Sequence, residues 1–98
     1  MTEKNPQFEL KIQVDEKTAE GIYVNFLSVF HNQAEFVMDF GRIVPGKPEV
    51  KIMARLLTNP IALKQIVQTL AENLERYEHS FGPIPMEPGG TMPRGVVQ

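Results

Sequence analysis

The sequence predicts an α+β domain in which a four-stranded antiparallel sheet precedes one long C-terminal amphipathic helix, in the order β-β-β-β-α. Three observations support this prediction. Four short segments carry alternating or β-rich apolar patterns, and connections with turn-forming residues separate them. A longer segment with a helical apolar period follows the last of them. Short connections between consecutive strands favour an antiparallel meander.

The first predicted strand is "FELKIQV", residues 8–14. Apolar side chains alternate there with Glu9, Lys11 and Gln13, which is typical of a strand with one buried face. Residues 15–21, "DEKTAEG", break the alternation and offer Gly21 for a turn. The polar residues 1–7 are expected to form a flexible N-terminus.

The second and third strands lie at residues 22–30 and 35–44, with "HNQA" as the turn between them. The second strand is apolar on both sides, which predicts that both of its faces are covered. One helix covers only one face of such a sheet, so we expect a second copy of the chain on the other, in a homodimer or higher oligomer. The side chains expected to form this partner or oligomer face are Val24, Phe26, Phe30 and Val37. Which face of strand two meets the helix stays open, because both registers with strand three match apolar residues.

The fourth strand is "VKIMARLL", residues 50–57, after the loop "VPGKPE". We predict a register that aligns apolar residues, with Phe40 opposite Ile52, Met38 opposite Ala54 and Phe36 opposite Leu56. This register sets Asp39 diagonal to Lys51 and Arg55, where opposite charges help to fix the pairing.

The helix is predicted to begin at Pro60 after the N-cap Asn59 and to end at Gly82, which Pro83 follows. Its apolar residues recur at helical spacing and form one stripe, at positions 63, 66, 67, 70, 74, 77 and 81. Residues 83–98 are rich in Pro and Gly and are expected to form a flexible tail. The chain is therefore a single domain over residues 8–82.

His31, Glu35 and Asp39 stand at four-residue spacing, which on a helix would set three possible metal ligands on one face. The strand patterns on both sides of "HNQA" separate them along a hairpin instead, so we interpret the acidic residues as cross-strand partners. The chain has no Cys, which excludes disulfides and thiolate zinc sites. We predict no catalytic, cofactor-binding or metal-binding residues.

The 98 residues carry a net charge of −2, which argues against a strong binder of nucleic acid. A small basic patch around "PGKP" is the alternative, formed by Arg42, Lys47, Lys51 and Arg55. It would suit a nucleic-acid or ribonucleoprotein accessory, although scattered surface charges explain these residues better. The first residues lack the apolar core of a signal peptide, and no run is long enough to span a membrane. We therefore expect a cytoplasmic protein without membrane contact.

Residues 20–84 carry three motifs: Tyr23-x-Asn25 with His31, Glu35-Phe36-x-x-Asp39-Phe40, and Asn73-Leu74-x-x-Tyr77-Glu78-x-x-Phe81-Gly82. In this combination the chain resembles the bacterial and archaeal domain-of-unknown-function family 3467. The start of the helix departs slightly from the pattern expected for this family, because this chain has Thr58-Asn59-Pro60 where Ser-Pro or Thr-Pro is expected. The resemblance implies no activity.

The predicted element order is also similar to that of the export chaperone SecB, whose sheets stack into oligomers and bind unfolded chains. SecB proteins are strongly acidic, and the charge of −2 departs mildly from that pattern. Together these observations predict a non-enzymatic, self-associating protein-interaction module, either an adaptor or a SecB-like binder of extended polypeptide.

Overall fold

The computed structural model describes residues 9–86, which form one antiparallel sheet and two helices. The elements in chain order are α1 (Glu16–Glu20), β1 (Phe26–His31), β2 (Phe36–Ile43), β3 (Val50–Thr58) and α2 (Pro60–Phe81). The sheet has the order β1-β2-β3, and both strand pairs are antiparallel. This confirms an α+β fold in which an antiparallel sheet precedes a long C-terminal helix.

The predicted first strand is wrong, because residues 9–14 have no regular structure and three strands, not four, occur in residues 9–86. Leu10 and Ile12 are each 91% exposed. A five-residue helix, α1, stands where a turn was predicted; the carboxylate of Asp15 accepts a hydrogen bond from the N–H of Thr18 at 2.7 Å. Alternation specifies a strand only when a neighbouring strand supplies the hydrogen bonds. The N-terminal residues 1–7, Phe8 and the tail beyond Met86 lie outside the described residues.

The turn between β1 and β2 is built on Asn32. Its side-chain oxygen accepts hydrogen bonds from the N–H groups of Ala34 (2.8 Å) and Glu35 (2.9 Å), and its own N–H donates to the carbonyl of Glu35. Asn is favoured in such turns for this bonding. The resulting register aligns Phe26 with Gly41 and His31 with Phe36.

The predicted register between β2 and β3 is wrong by two residues. Phe40 pairs with Ala54, Met38 with Leu56 and Phe36 with Thr58, so Asp39 lies directly opposite Arg55. A shift of two residues leaves every side chain on the same face of the sheet. The apolar pattern therefore could not distinguish the two registers.

The pairing shifts by one residue between Phe40 and Gly41, which is a β-bulge. Gly41 then lies opposite Ile52, close to the β3 backbone. A Cβ atom on Gly41 would lie 2.9 Å from the carbonyl oxygen of Lys51 and 2.9 Å from Val50 Cγ1. A side chain at this position would therefore force the β3 backbone to shift, which favours glycine here.

Helix α2 has the predicted bounds, which its two capping groups explain. The side chain of Asn59 accepts a hydrogen bond from the N–H of Ala62 at 2.7 Å, and Pro60 occupies the first turn. At the other end Gly82, with φ 94°, donates its N–H to the carbonyl of Glu78. The Glu78 carboxylate accepts from the N–H of Ile84 at 2.9 Å.

The helix does not cover its own sheet. None of its 22 residues is buried, and within residues 9–86 the extensive contacts between elements are those of the two strand pairs. The expectation that this helix covers one sheet face is therefore wrong. A single residue, Asn59, separates β3 from α2, whereas a strand that reverses into a helix usually has a connection of about 2–6 residues.

Candidate interaction surfaces

The sheet presents two faces of different chemistry. Residues opposite each other in an antiparallel pair project to the same face, so the register assigns every side chain. The Met38 face is formed by Leu27, Val29, His31, Phe36, Met38, Phe40, Ala54, Leu56 and Thr58, and it carries Arg42 and Lys51 at the end beyond the bulge. The Asp39 face is formed by Phe26, Ser28, Phe30, Val37, Asp39, Arg55 and Leu57.

The Met38 face is apolar across its centre. Met38 itself is 7% exposed, whereas Leu27 and Leu56 on the outer strands remain substantially accessible. At one end of this face the ring of His31 stacks on Phe36, with 5.0 Å between the ring centres. This face therefore offers an apolar partner a continuous surface three strands wide.

The Asp39 face has an ion pair at its centre. The guanidinium of Arg55 donates two hydrogen bonds to the Asp39 carboxylate, from Nε to Oδ1 at 2.7 Å and from Nη2 to Oδ2 at 2.8 Å. Asp39 is only 6% exposed, whereas the Arg55 side chain is 59% exposed. The guanidinium carbon also lies 5.6 Å from the ring centre of Phe30, within range of a cation–π interaction.

This pairing changes the titration of both groups. Hydrogen bonding from Arg55 lowers the pKa of Asp39 below its ordinary value, and the opposing effect of burial does not cancel it. The same hydrogen bonds raise the pKa of Arg55. Both groups stay charged at neutral pH, so the centre of this face keeps a fixed polar anchor.

The predicted charge interaction of Asp39 is confirmed for Arg55 and wrong for Lys51. Lys51 lies opposite Arg42, beyond the bulge. Two like charges therefore face each other at one end of the sheet, an arrangement that is unfavourable without a nearby anion. The guanidinium of Arg42 also lies 5.5 Å from the ring centre of Tyr23.

The apolar stripe of α2 forms a third surface, made of Leu63, Ile66, Val67, Leu70, Leu74, Tyr77 and Phe81. Six of its side chains are exposed, from 39% for Ile66 to 76% for Phe81, and Leu63 is partly buried. The rings of Tyr77 and Phe81, one helical turn apart, lie 5.0 Å from each other. Exposed aromatic pairs of this kind are common anchors in protein interfaces.

The structure brings together three of the four residues predicted for a partner or oligomer face. Phe26, Phe30 and Val37 share the Asp39 face, and Val24 precedes β1. Their use in partner binding stays a prediction.

The four residues of the predicted basic patch do not lie together in the structure. Arg42 and Lys51 face each other, and Lys47 lies in the turn that follows β2, where its N–H donates to the carbonyl of Val44. Arg55 projects from the Asp39 face, where it is paired with Asp39. The structure therefore places three cations near one end of the sheet and the fourth elsewhere.

His31, Glu35 and Asp39 are not brought together. His31 stacks on Phe36, Glu35 lies in the turn, and Asp39 pairs with Arg55. Among residues 9–86 no group of three or more His, Cys, Asp or Glu side chains is placed to hold a metal ion. The expectation of no catalytic, cofactor-binding or metal-binding residues stays a prediction.

Two features of the site escaped sequence reasoning. One is Asn25, whose side chain bonds both backbone groups of Ile43 (N to Oδ1 2.8 Å, Nδ2 to O 3.3 Å). The other is the unpartnered helix stripe. Its signal in the sequence is the short connection, Thr58-Asn59, between the last strand pattern and Pro60.

None of the helices in the described range combines the length and the apolar character needed to cross a membrane. A protein-family model described as "Protein of unknown function (DUF3467)" matches residues 1–86. Comparison with curated proteins and with solved structures gives no match.

Proposed function

Because this chain belongs to the DUF3467 family, whose description names no activity, we propose a function from its surfaces: a non-enzymatic, self-associating protein-interaction module. The observation that carries the proposal is the absence of cover within residues 9–86. Helix α2 has no buried residue, and both sheet faces carry exposed apolar side chains. Apolar surface of this extent is unfavourable in water and marks interaction sites.

The Asp39 face is the surface that we assign to a partner protein or an extended polypeptide. Phe26 and Phe30 flank the ion pair on β1, and interfaces are enriched in aromatic residues and Arg. Asp39 already has its hydrogen bonds from Arg55, so a partner can cover it without leaving a carboxylate unpaired. Arg55 keeps further N–H donors, which suit the carbonyl oxygens of a bound polypeptide backbone.

The sheet edges give an extended polypeptide a second means of attachment. In the described residues β1 and β3 each pair only with β2, so the outer edge of each has unpaired backbone groups. A polypeptide in β conformation can add to such an edge through main-chain hydrogen bonds. This mode supports a binder of unfolded or extended chains, comparable in its task to SecB.

The test is binding of a fluorescently labelled, permanently unfolded polypeptide, measured by anisotropy, with suppression of aggregation of a heat-denatured protein as a second readout. We expect the wild-type chain to bind and suppress. Phe30→Asp should weaken binding at least tenfold, because it adds a charge to the centre of the Asp39 face. Gln33→Asp, in the exposed turn, is the matched control. Absence of binding and suppression by the wild-type chain would reject the polypeptide-binding role.

A nucleic-acid accessory is the second candidate, favoured by one observation. Arg42 and Lys51 face each other with Lys47 in the following turn, and a phosphate would relieve the repulsion. If these three cations each contact a phosphate, the logarithm of the binding constant should fall with the logarithm of salt concentration with a slope of about −2 to −3. A gel-shift titration at several salt concentrations measures this slope, and Arg42→Gln should reduce it. Binding that does not depend on salt would exclude this role.

A further inference from the structure

We propose that helix α2 of each copy packs on the Met38 face of a second copy, so that two chains form a reciprocal helix-exchanged dimer. The occupant of the helix stripe is thus another copy of this chain. The inference rests on the proposed self-association and specifies its geometry. It leaves the Asp39 face of each copy open for the partner.

The connection between β3 and α2 is the first argument. Asn59 is its only residue, with an extended backbone (φ −99°, ψ 167°), and Pro60 fixes the start of the helix. This connection directs the helix away from the sheet, and no residue of α2 is buried as a result. A short hinge that keeps an element from closing on its own domain favours exchange of that element between copies.

The second argument is dimensional. The stripe from Leu63 to Phe81 is about 27 Å long at 1.5 Å per residue, and β3 is about 26 Å long at 3.3 Å per residue. The outer strands of the sheet are roughly 10 Å apart at 4.8 Å per strand, and a helix is about 10 Å wide. One helix therefore matches one face of this three-stranded sheet in both length and width.

The buried area is the third argument. Six large side chains of the stripe expose between 39% and 76% of their surface, from Ile66 to Phe81. At roughly 200 Å² for each side chain they leave about 650 Å² of apolar helix surface accessible. Two stripes in a dimer supply about 1,300 Å² before the sheet surface is added, which is within the range of stable interfaces.

The ion pair decides which sheet face the helix covers. A helix on the Asp39 face would remove water from the Arg55 side chain, which is 59% exposed, and among the seven stripe side chains only Tyr77 has a polar group, one hydroxyl, to replace that water. Removing water from a charged group without an equivalent replacement is unfavourable, as it is in buried ion pairs. The Met38 face has an apolar centre, and its two cations, Arg42 and Lys51, lie at the end of the sheet next to the β2–β3 turn.

The polar side of α2 argues against a membrane surface as the occupant. It carries Glu72, Glu75 and His79 beside Lys64 and Arg76. Helices that lie on membranes have polar sides rich in Lys and Arg, which attract anionic lipids. The acidic residues here favour a protein surface.

Cysteine crosslinking between two distinguishable copies tests the geometry, since the chain has no Cys of its own. One full-length copy with a size tag carries Leu74→Cys in the stripe. A second, untagged copy carries Leu56→Cys on the Met38 face. After mixing, unfolding and refolding together, we expect the tagged–untagged crosslinked species at least tenfold above that formed by Gln68→Cys, on the polar side of α2, with Leu56→Cys.

Each other outcome has a defined meaning. Equal crosslinking by Leu74→Cys and Gln68→Cys in a chain that sedimentation shows to be dimeric overturns helix exchange and leaves self-association standing. Preferred crosslinking of Leu74→Cys to Phe30→Cys overturns the choice of face. A monomer in sedimentation at micromolar concentration overturns both this inference and the proposed self-association. So does a monomer that co-sediments with anionic lipid vesicles, which would assign the stripe to a membrane.

Discussion

At the residue scale, Asn25 extends the hydrogen bonding of the sheet by one residue beyond the start of β1. Its N–H donates to the carbonyl of Gly41 (3.0 Å), and its side-chain amide both donates to and accepts from the backbone of Ile43. The side chain thus takes the place of a peptide group where β1 has not yet begun. This accounts physically for the Asn in the Tyr23-x-Asn25 motif.

Asn25→Ala should lower the free energy of unfolding by about 1–3 kcal/mol, because the part-buried N–H and carbonyl of Ile43 lose their partner. Asn25→Asp should also destabilise, since a carboxylate cannot donate to the Ile43 carbonyl. Urea unfolding measures both, with Gln33→Ala in the exposed turn as the control. An Asn25→Asp variant as stable as wild type would show that the donated bond contributes nothing.

The Asp39–Arg55 pair predicts a dependence of stability on acid. The pKa of Asp39 is lower in the folded chain than in the unfolded chain, so the pair stabilises fully above the unfolded pKa, near 3.8. That contribution is lost as the pH falls below this value and through the folded pKa. Urea unfolding between pH 2 and 7 should show a steeper loss below about pH 4 for wild type than for Asp39→Asn. Glu35→Gln, in the turn, should keep the wild-type slope; identical slopes for wild type and Asp39→Asn would contradict the assignment.

At the element scale, the β-bulge between β2 and β3 depends on the lack of a side chain at Gly41. Gly41→Ala sets a Cβ against the Lys51 carbonyl oxygen at 2.9 Å, and the β3 backbone must move to relieve it. We expect a loss of about 1–3 kcal/mol in the free energy of unfolding, as for other overpacked sites. Gln33→Ala, in the exposed turn between β1 and β2, is the control, because residue 33 lies outside the bulge and is exposed. Equal stability of both variants would show that the sheet yields without cost at Gly41.

The elements that sequence predicted best are those with local signals. Helix α2 is delimited by residues within one turn of each end, namely Asn59, Pro60 and Gly82. Its bounds could therefore be predicted from the sequence. Residues 8–14 have a strand pattern, but pairing depends on a distant neighbour, and the described residues 9–14 pair with none. The predicted register of β3 was wrong for a related reason. Direct opposition of Asp39 and Arg55 and the close approach at Gly41 set it, whereas apolar matching allowed two solutions.

At the scale of the whole molecule, the surplus of apolar surface was predictable and its arrangement was not. The two-sided apolar pattern of β1 indicated a surface that needs a partner, and the register places Phe26 and Phe30 together on one face. Helix α2 does not pack on its own sheet because of the geometry of one connecting residue, Asn59. Composition and periodicity do not predict that geometry.

The aromatic pair of the stripe should determine self-association. Changing Tyr77 and Phe81 together to Asp adds two charges to an apolar interface, and we expect the dissociation constant of the dimer to rise at least 100-fold. The double variant Gln68→Asp with His79→Asp, on the polar side of α2, is the control of equal charge. Analytical ultracentrifugation measures the dissociation constant, and circular dichroism checks that the helix persists. Unchanged affinity in a folded Tyr77/Phe81 variant would remove the stripe from the interface.

In the proposed dimer, the single-residue connection at Asn59 also links the fold of this chain to its abundance. With α2 exchanged between copies, each sheet acquires its cover by a second-order reaction, so the fraction covered rises with protein concentration. A connection several residues longer would let the helix close on its own sheet at an effective concentration in the millimolar range, independent of how many copies are present. The proposed exchange therefore predicts that the length of this connection decides whether protein concentration controls the completion of the fold.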